Sequence, residues 1–277
     1  MTLTGRQVRA LLARHDAYPS KARGQNFVVD PNTVRRVARL AGVGPGDRVV
    51  EVGAGVGSLT LALAETGAAV TAVEIDGRLL PALREVVAEA GAAVTVVEGD
   101  ALRLDWAALL GDSGGPWTMV ANLPYNIATP LLADLLDGVP AVSRFVVMVQ
   151  REVAERLAAG AGDEAYGAVS VKVAYWARAA VVAKVPPTVF WPEPKVESAI
   201  VDIRRHPGGP AAGGDPKWLF RLVAAGFGQR RKMLRRSLAG LVAADAFACA
   251  GVRPEARAEE LDLAAWARLA ACSPPPS

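Results

Sequence analysis

Arg48-Val49-Val50-Glu51-Val52-Gly53-Ala54-Gly55-Val56-Gly57 passes from a β-branched run into a glycine turn, and residues 58–65, Ser-Leu-Thr-Leu-Ala-Leu-Ala-Glu, follow with helix formers. An apolar strand, a glycine turn and a helix in that order open a strand-helix-strand unit of a parallel sheet. The glycines permit a sharp turn and let a ligand press against bare backbone. Their spacing is G-x-G-x-G with Glu51 two residues ahead, whereas a pyrophosphate-binding dinucleotide turn wants G-x-G-x-x-G. A nicotinamide-dependent oxidoreductase is therefore the weaker reading.

Working outward, short and nearly continuously apolar runs recur at 69–74, 93–97, 118–121 and 144–149, as expected of strands buried on both faces. Helix-like stretches at 58–65, 77–90 and 129–136 separate them. This alternation predicts an α/β fold with helices on both faces of the sheet. Beyond a helix at 151–159, the β-prone segments 167–174, 179–184 and 198–203 would extend the sheet with antiparallel members.

Ligands of open α/β sheets bind along the carboxyl edge of the strands, and that edge is rich in chemistry here. Glu74 ends the second strand, where a carboxylate can accept both hydroxyls of a ribose, a role that suits NAD and S-adenosylmethionine equally. Asp100 closes the third and can accept from an adenine amino group. After the fourth comes Asn122-Leu123-Pro124-Tyr125-Asn126-Ile127.

An exocyclic amine on a purine is a poor nucleophile because its lone pair is delocalised into the ring. The Asn122 side-chain oxygen and the Leu123 carbonyl, both accepting from one amino group, favour a pyramidal nitrogen aimed at a methyl donor. Pro124 fixes the backbone for that carbonyl, and Tyr125 offers a ring on which an extruded base can stack. No strong base is required, since the methylated amine can lose its proton to water; proximity and orientation carry most of the acceleration.

The rest of the chain reads as support. With 277 residues, 52% of them hydrophobic, there is material for one α/β domain and a smaller appendage. The expected division is a methyltransferase domain over 1–206 with an N-terminal arm at 1–30, a Gly- and Pro-rich linker at 207–216, a helical domain at 217–272 and a disordered tail at 273–277. No apolar run reaches the roughly 18 residues of a membrane span and no secretory segment is read, so a cytoplasmic protein is expected. Cys249 and Cys272, with only His15 and His206 for company, lack metal-ligand spacing and read as inert thiols, so no metal is expected.

The net charge of +3 is too small to identify a partner, but its distribution is uneven. Arg230, Arg231, Lys232, Arg235 and Arg236 fall within seven positions of an expected helix at 229–238, with no acid among them. Such a run repels itself unless a polyanion neutralises it, which points to RNA phosphates. Lys21 and Arg23 flank the expected site entrance and Arg151 begins the helix after the fifth strand; the sequence leaves the roles of all three open.

The segments Gly24-Gln25-Asn26-Phe27, Glu51–Gly57, Glu74-Ile75-Asp76, Gly99-Asp100-Ala101, Asn122–Ile127 and Phe190-Trp191-Pro192-Glu193-Pro194-Lys195-Val196 together resemble the KsgA-type small-subunit rRNA adenine dimethyltransferases, relatives of the Erm enzymes. The likeness runs from about Lys21 to Leu269. It implies a class I, Rossmann-like domain with a seven-stranded mixed sheet, and S-adenosyl-L-methionine as cofactor. Asn26 and Val28 would border its methionine end, Gly53 would lie beneath it, Glu74 would hold the ribose, Asp100 the adenine, and Asn122 both methionine and target base. Phe190 would pack on the flipped adenine opposite Tyr125, the alternative being a core aromatic. The implied substrate is a pair of adjacent adenosines in the 3′-terminal hairpin of 16S rRNA, within an immature small subunit and met by a monomer. An Erm-type action on large-subunit rRNA is the alternative. Val28 stands where leucine is usual, and Lys21-Ala22-Arg23 replaces a basic-aromatic run.

Overall fold

The computed structural model describes residues 2–20, 23–91, 93–111 and 115–275, so Lys21 and the last two residues of the expected tail lie outside it. The chain opens with α1 (Gly5–Arg14), β1 (Phe27–Val28) and α2 (Pro31–Ala41). Both helices are capped by their own sequence. Thr4 Oγ1 accepts from the Gln7 N–H at 3.4 Å while Gln7 Oε1 accepts from the Thr4 N–H at 2.9 Å. Asp30 accepts from the Asn32 and Thr33 N–H groups at 3.2 and 2.9 Å, Pro31 takes the first helical position, and Gly42 ends the helix in the left-handed region.

The alternating part follows as β2 (Arg48–Val52), α3 (Ser58–Ala64), β3 (Ala69–Glu74), α4 (Leu80–Glu89), β4 (Val94–Glu98), α5 (Trp106–Leu110), β5 (Trp117–Asn122), α6 (Ala128–Gly138) and β6 (Val142–Gln150). Next come α7 (Arg151–Ala158), α8 (Ala168–Trp176), β7 (Ala177–Val185), β8 (Phe190–Trp191) and β9 (Ser198–Arg205). Seven strands form one sheet in the order β4-β3-β2-β5-β6-β9-β7, and β1 and β8 form a separate ribbon. Strands β2 to β6 pair in parallel, while β9 runs antiparallel to β6 from Arg144↔Arg204 to Gln150↔Ser198. The sheet is therefore mixed and of the expected α/β type.

The central strands are apolar because both faces are covered: Val49, Val50, Val120, Val146 and Val147 are all buried. From β2 the chain steps outward to β3 and β4 on one side, then returns to β5 and β6 on the other. That reversal leaves a crevice at the carboxyl ends of β2 and β5. Arg144 on β6 reinforces the sheet, donating to Asp202 of β9 at 2.9 and 2.8 Å and to the carbonyls of Leu40 and Ala41 at the end of α2.

The chain divides into two compact units, residues 1–154 with 180–204, and residues 155–179 with 205–277. This boundary differs from the expected 1–206. The reason is residues 167–174, which alternate Val169, Val171 and Val173 like a strand yet form α8. Ser170, Val171, Val173 and Tyr175 are buried in it, so burial on more than one side overrides the β-branched preference. Val171 and Tyr175 share a core with Trp218, Leu222, Phe247 and Trp266 of the second unit.

That unit also contains α9 (Pro216–Gly228), α10 (Leu234–Ser237), α11 (Ala244–Ala250) and α12 (Leu263–Cys272). Residues 207–215 are irregular, and at their end Asp215 caps α9, which Pro216 opens, accepting from the Lys217 N–H at 2.9 Å. Two expectations are corrected here. Cys249 and Cys272 are not separate thiols: packing of α11 on α12 brings their Cα atoms to 6.0 Å, and they form a disulfide. The tail is not loose at its start, because Ser273 is buried, accepts from Trp218 Nε1 and donates its hydroxyl to the Leu241 carbonyl at 3.0 Å.

Candidate active site

A cavity of about 280 Å³ opens at the carboxyl edge of the sheet. Four strand ends line it: Glu51–Val56 from the end of β2 onward, Val73–Ile75 at β3, Gly99–Ala101 after β4 and Asn122–Ile127 from the last residue of β5 onward. The segment Arg23–Val28 of the arm completes the wall. Asn26, Val28, Gly53, Glu74, Asp100, Asn122, Leu123, Pro124 and Tyr125 are thus all brought to one cavity.

The turn after β2 needs glycine for two reasons. Gly53 and Gly55 have φ of +74° and +59°, a region that side chains disfavour. A Cβ on Gly55 would also stand 3.0 Å from Cε1 of Phe27, so the arm reaches its seat only over a bare backbone.

Glu74 is buried, and each carboxylate oxygen takes one backbone N–H: Oε2 that of Gly55 at 2.7 Å and Oε1 that of Asp76 at 2.8 Å. A carboxylate oxygen accepts more than one hydrogen bond, so two ribose hydroxyls can still be received. Burial pushes this carboxyl above its usual range, while the bonds from Asp76 and Gly55 pull it back. Glu51 goes further. Wholly buried, with Thr60 Oγ1 donating to it at 2.6 Å and the charge of Glu74 nearby, its carboxyl is pushed up to about 8. A proton therefore stays on Glu51 at neutral pH.

Asp100 is half-buried, accepts from the Leu102 N–H at 3.0 Å and lies 3.7 Å from Arg103 Nε, leaving acceptor capacity toward the cavity. Two groups that the sequence reading did not assign are Asp76 and Gln25. Asp76 is buried and held well below the usual carboxylate range, chiefly by Arg78 and further by Gln25, against the cost of burial.

The orientation of Asn122 follows from its partner. Its Nδ2 donates to the Asn26 carbonyl at 3.1 Å, and a carbonyl only accepts, so the amide must present its NH₂ on that side and its Oδ1 on the other. Among the described residues the Leu123 carbonyl takes no hydrogen bond, although the Leu123 N–H is tied to the Met148 carbonyl at 3.0 Å. Two unengaged acceptors, one of them clamped, therefore lie on consecutive residues at the cavity wall. Tyr125, half-buried beside them, is within hydrogen-bonding distance of Ser198 Oγ at 3.2 Å, and burial raises its phenol so that it stays neutral.

Phe190 is not on this wall. Antiparallel pairing places it opposite Val28, and it is buried in the core with Val34, Val37 and Leu59. In this structure its ring packs in the core, the alternative placement read from the sequence.

The basic run in the second unit also differs from expectation. It is not one helix: α9 ends at Gly228, residues 229–232 turn, and α10 begins at Leu234. Nor is it free of acids in space. Arg230 pairs with Glu259 at 2.5 Å and donates to the Glu164 carbonyl, and Arg235 pairs with Glu255 at 3.3 Å. Arg231, Lys232 and Arg236 are exposed and have no acidic partner among the described residues.

Strand order, the acid-bearing edge and the Asn-Leu-Pro-Tyr loop over one cavity define a Rossmann-like methyltransferase fold. Solved structures agree. A dimethyladenosine transferase from Plasmodium falciparum matches with a TM-score of 0.73 at 25% identity, covering 87% of this chain and 94% of its own. The 23S rRNA methyltransferase ErmE matches with a TM-score of 0.68 at 28% identity, covering 90% and 99%. In sequence the chain is 48% identical to the ribosomal RNA small subunit methyltransferase A of Thermobifida fusca, over 97% of this chain and 95% of that protein. The corresponding protein of Cutibacterium acnes is also 48% identical, over 91% and 87%. The chain belongs to the family described as ribosomal RNA adenine dimethylase, which matches residues 20–273.

Proposed function

We propose that this protein transfers methyl groups from S-adenosyl-L-methionine to N6 of two adjacent adenosines in the 3′-terminal hairpin of 16S rRNA, acting as a monomer in the cytoplasm on immature small subunits. The observation that carries the reading is the clamped Asn122 amide, whose oxygen stands beside the unengaged Leu123 carbonyl. The small-subunit name shared by relatives at 44–48% identity supports this RNA over the Erm-type substrate.

The cofactor supplies an electrophilic methyl on a sulfonium sulfur. Glu74 receives the ribose hydroxyls, Asp100 the adenine amino group, and the bare turn at Gly53 lets the methionine portion lie close. In the first transfer Oδ1 of Asn122 and the Leu123 carbonyl each accept one N6 hydrogen, and in the second one of them accepts the single hydrogen that remains, which draws the nitrogen out of conjugation and directs its lone pair at the methyl carbon. The N6–C bond forms as the C–S bond breaks, S-adenosylhomocysteine leaves, and the extra proton passes to water. Tyr125 stacks on the base, and Arg231, Lys232 and Arg236 contact phosphates.

The test is methyl transfer in vitro to small subunits that lack dimethyladenosine, run beside large-subunit RNA. Incorporation into the small subunit alone supports the proposal; incorporation into the large-subunit RNA alone overturns it in favour of the Erm-type reaction.

A further inference from the structure

Asp76 lines no part of the cavity, yet its buried carboxylate gathers the arm that does. Oδ2 accepts from Gln25 Nε2 at 3.0 Å and from Arg78 Nη2 at 2.7 Å, and Oδ1 accepts from Arg78 Nε at 2.9 Å and faces Arg23 Nη1 at 3.4 Å. Gln25 is fixed at its other end as well: its Oε1 accepts from the Ser20 N–H at 2.8 Å and its own N–H donates to the Ser20 carbonyl at 3.1 Å. One residue on stands the Asn26 carbonyl that receives Asn122 Nδ2. On the other side the Asp76 N–H donates to Glu74 Oε1. An unbroken series of hydrogen bonds and one peptide link thus runs from Glu74 through Asp76, Gln25 and Asn26 to Asn122.

We infer that Asp76, acting through Gln25, is a positioning residue: it sets where the Asn26 carbonyl stands, and so which end of the Asn122 amide faces the target amine. The inference rests on the reading of Asn122 as the acceptor for N6. Its physical basis is the near symmetry of a carboxamide. Without a fixed acceptor on one side, the two orientations are close in energy, and the flipped one aims donors at a donor. A role confined to neutralising Arg78 would not need Gln25.

Gln25→Ala and Gln25→Glu in the full chain test this, with Asn122→Ala in parallel. Gln25→Ala should lower kcat by about 10- to 100-fold through misplacement of the acceptor, with KM for small subunits changed no more than about twofold. Amide exchange over residues 23–26 should quicken. Gln25→Glu sets a second carboxylate against Asp76, with Arg23 and Arg78 the other charges at that point. Its kcat should fall similarly at pH 8 and recover toward wild type near pH 5.5, where the introduced carboxyl takes up a proton and again donates to Asp76.

The proposal is overturned if exchange quickens without loss of kcat, if kcat falls with the arm unchanged, or if the ratio of Gln25→Glu to wild type is flat with pH. Should Asn122→Ala keep full activity, the reading of Asn122 fails and this proposal with it. An inactive Asn122→Ala beside an unaffected Gln25→Ala removes only the positioning role.

Discussion

Replacing Glu51 by Gln should stabilise the protein, and only above acidic pH. The carboxyl titrates near 8 when folded against an ordinary 4.5, because burial disfavours its charge more than the Thr60 hydrogen bond favours it. The folded state therefore binds this proton more tightly than the unfolded chain. Stability is fully present below about pH 4.5 and is lost as pH rises toward 8. At 1.36 kcal/mol per pKa unit the loss is about 3 kcal/mol by pH 7 and between about 4 and 5 kcal/mol above pH 8. A glutamine keeps the volume and an oxygen for Thr60 but has no proton to lose. Urea unfolding of wild type and Glu51→Gln at matched ionic strength from pH 5 to 8.5 reads this group together with its charge coupling to Glu74, the titrations remote from the pair being common to both. The difference should grow by about 3 to 4 kcal/mol across that range. At pH 7 it should correspond to a Tm higher by about 6 to 12 °C for the larger unit. A difference that stays constant with pH would refute the reasoning.

Asn122→Ala should cost about 10²- to 10³-fold in kcat, the scale of losing one preorganised polar group in a transition state, while binding to small subunits in a filter assay stays within about twofold. Gly55→Ala places a side chain at φ +59° and against Phe27, so it should lose about 1–2 kcal/mol of stability in urea titrations and weaken S-adenosylhomocysteine binding in calorimetry. Replacing Arg231, Lys232 and Arg236 together by alanine should reduce the salt dependence of RNA binding by about 2 to 3 in slope. Single replacements of Arg230 and Arg235, each already paired with a glutamate, should change it less than single replacements of Arg231, Lys232 or Arg236; equal slopes for all five single variants would remove the distinction.

Legibility in the sequence depended on whether a signal was local. The glycine turn after Val52, the strands and the edge acids each express a local requirement, and all came out near their expected places, except that β4, expected to be buried on both faces, is the edge strand and has no buried residue. The Asn122–Tyr125 loop was legible because it follows a strand whose carboxyl end must face the crevice. Failures share a different cause. Val169, Val171 and Val173 alternate like a strand, and only the packing of this segment with Trp218 and Trp266 reveals a helix. The basic run reads as unpaired because Glu255 and Glu259 sit about twenty positions or more away in sequence. Cys249 and Cys272 likewise meet only through the packing of two helices. Helices α1 and α2 announce themselves through Thr4, Asp30 and Pro31, caps that an eye fixed on apolar period passes over.

The decisive measurement is a map of N6,N6-dimethyladenosine in ribosomal RNA after reaction of purified protein with unmethylated small subunits, against the same reaction with Asn122→Ala. Two adjacent dimethyladenosines should stand in the 3′-terminal hairpin of 16S rRNA with the wild-type protein, and form about 100-fold or more slowly with the variant. Dimethyladenosine confined to 23S rRNA when both RNAs are offered, or an undiminished pair with Asn122→Ala, would contradict the proposed reaction.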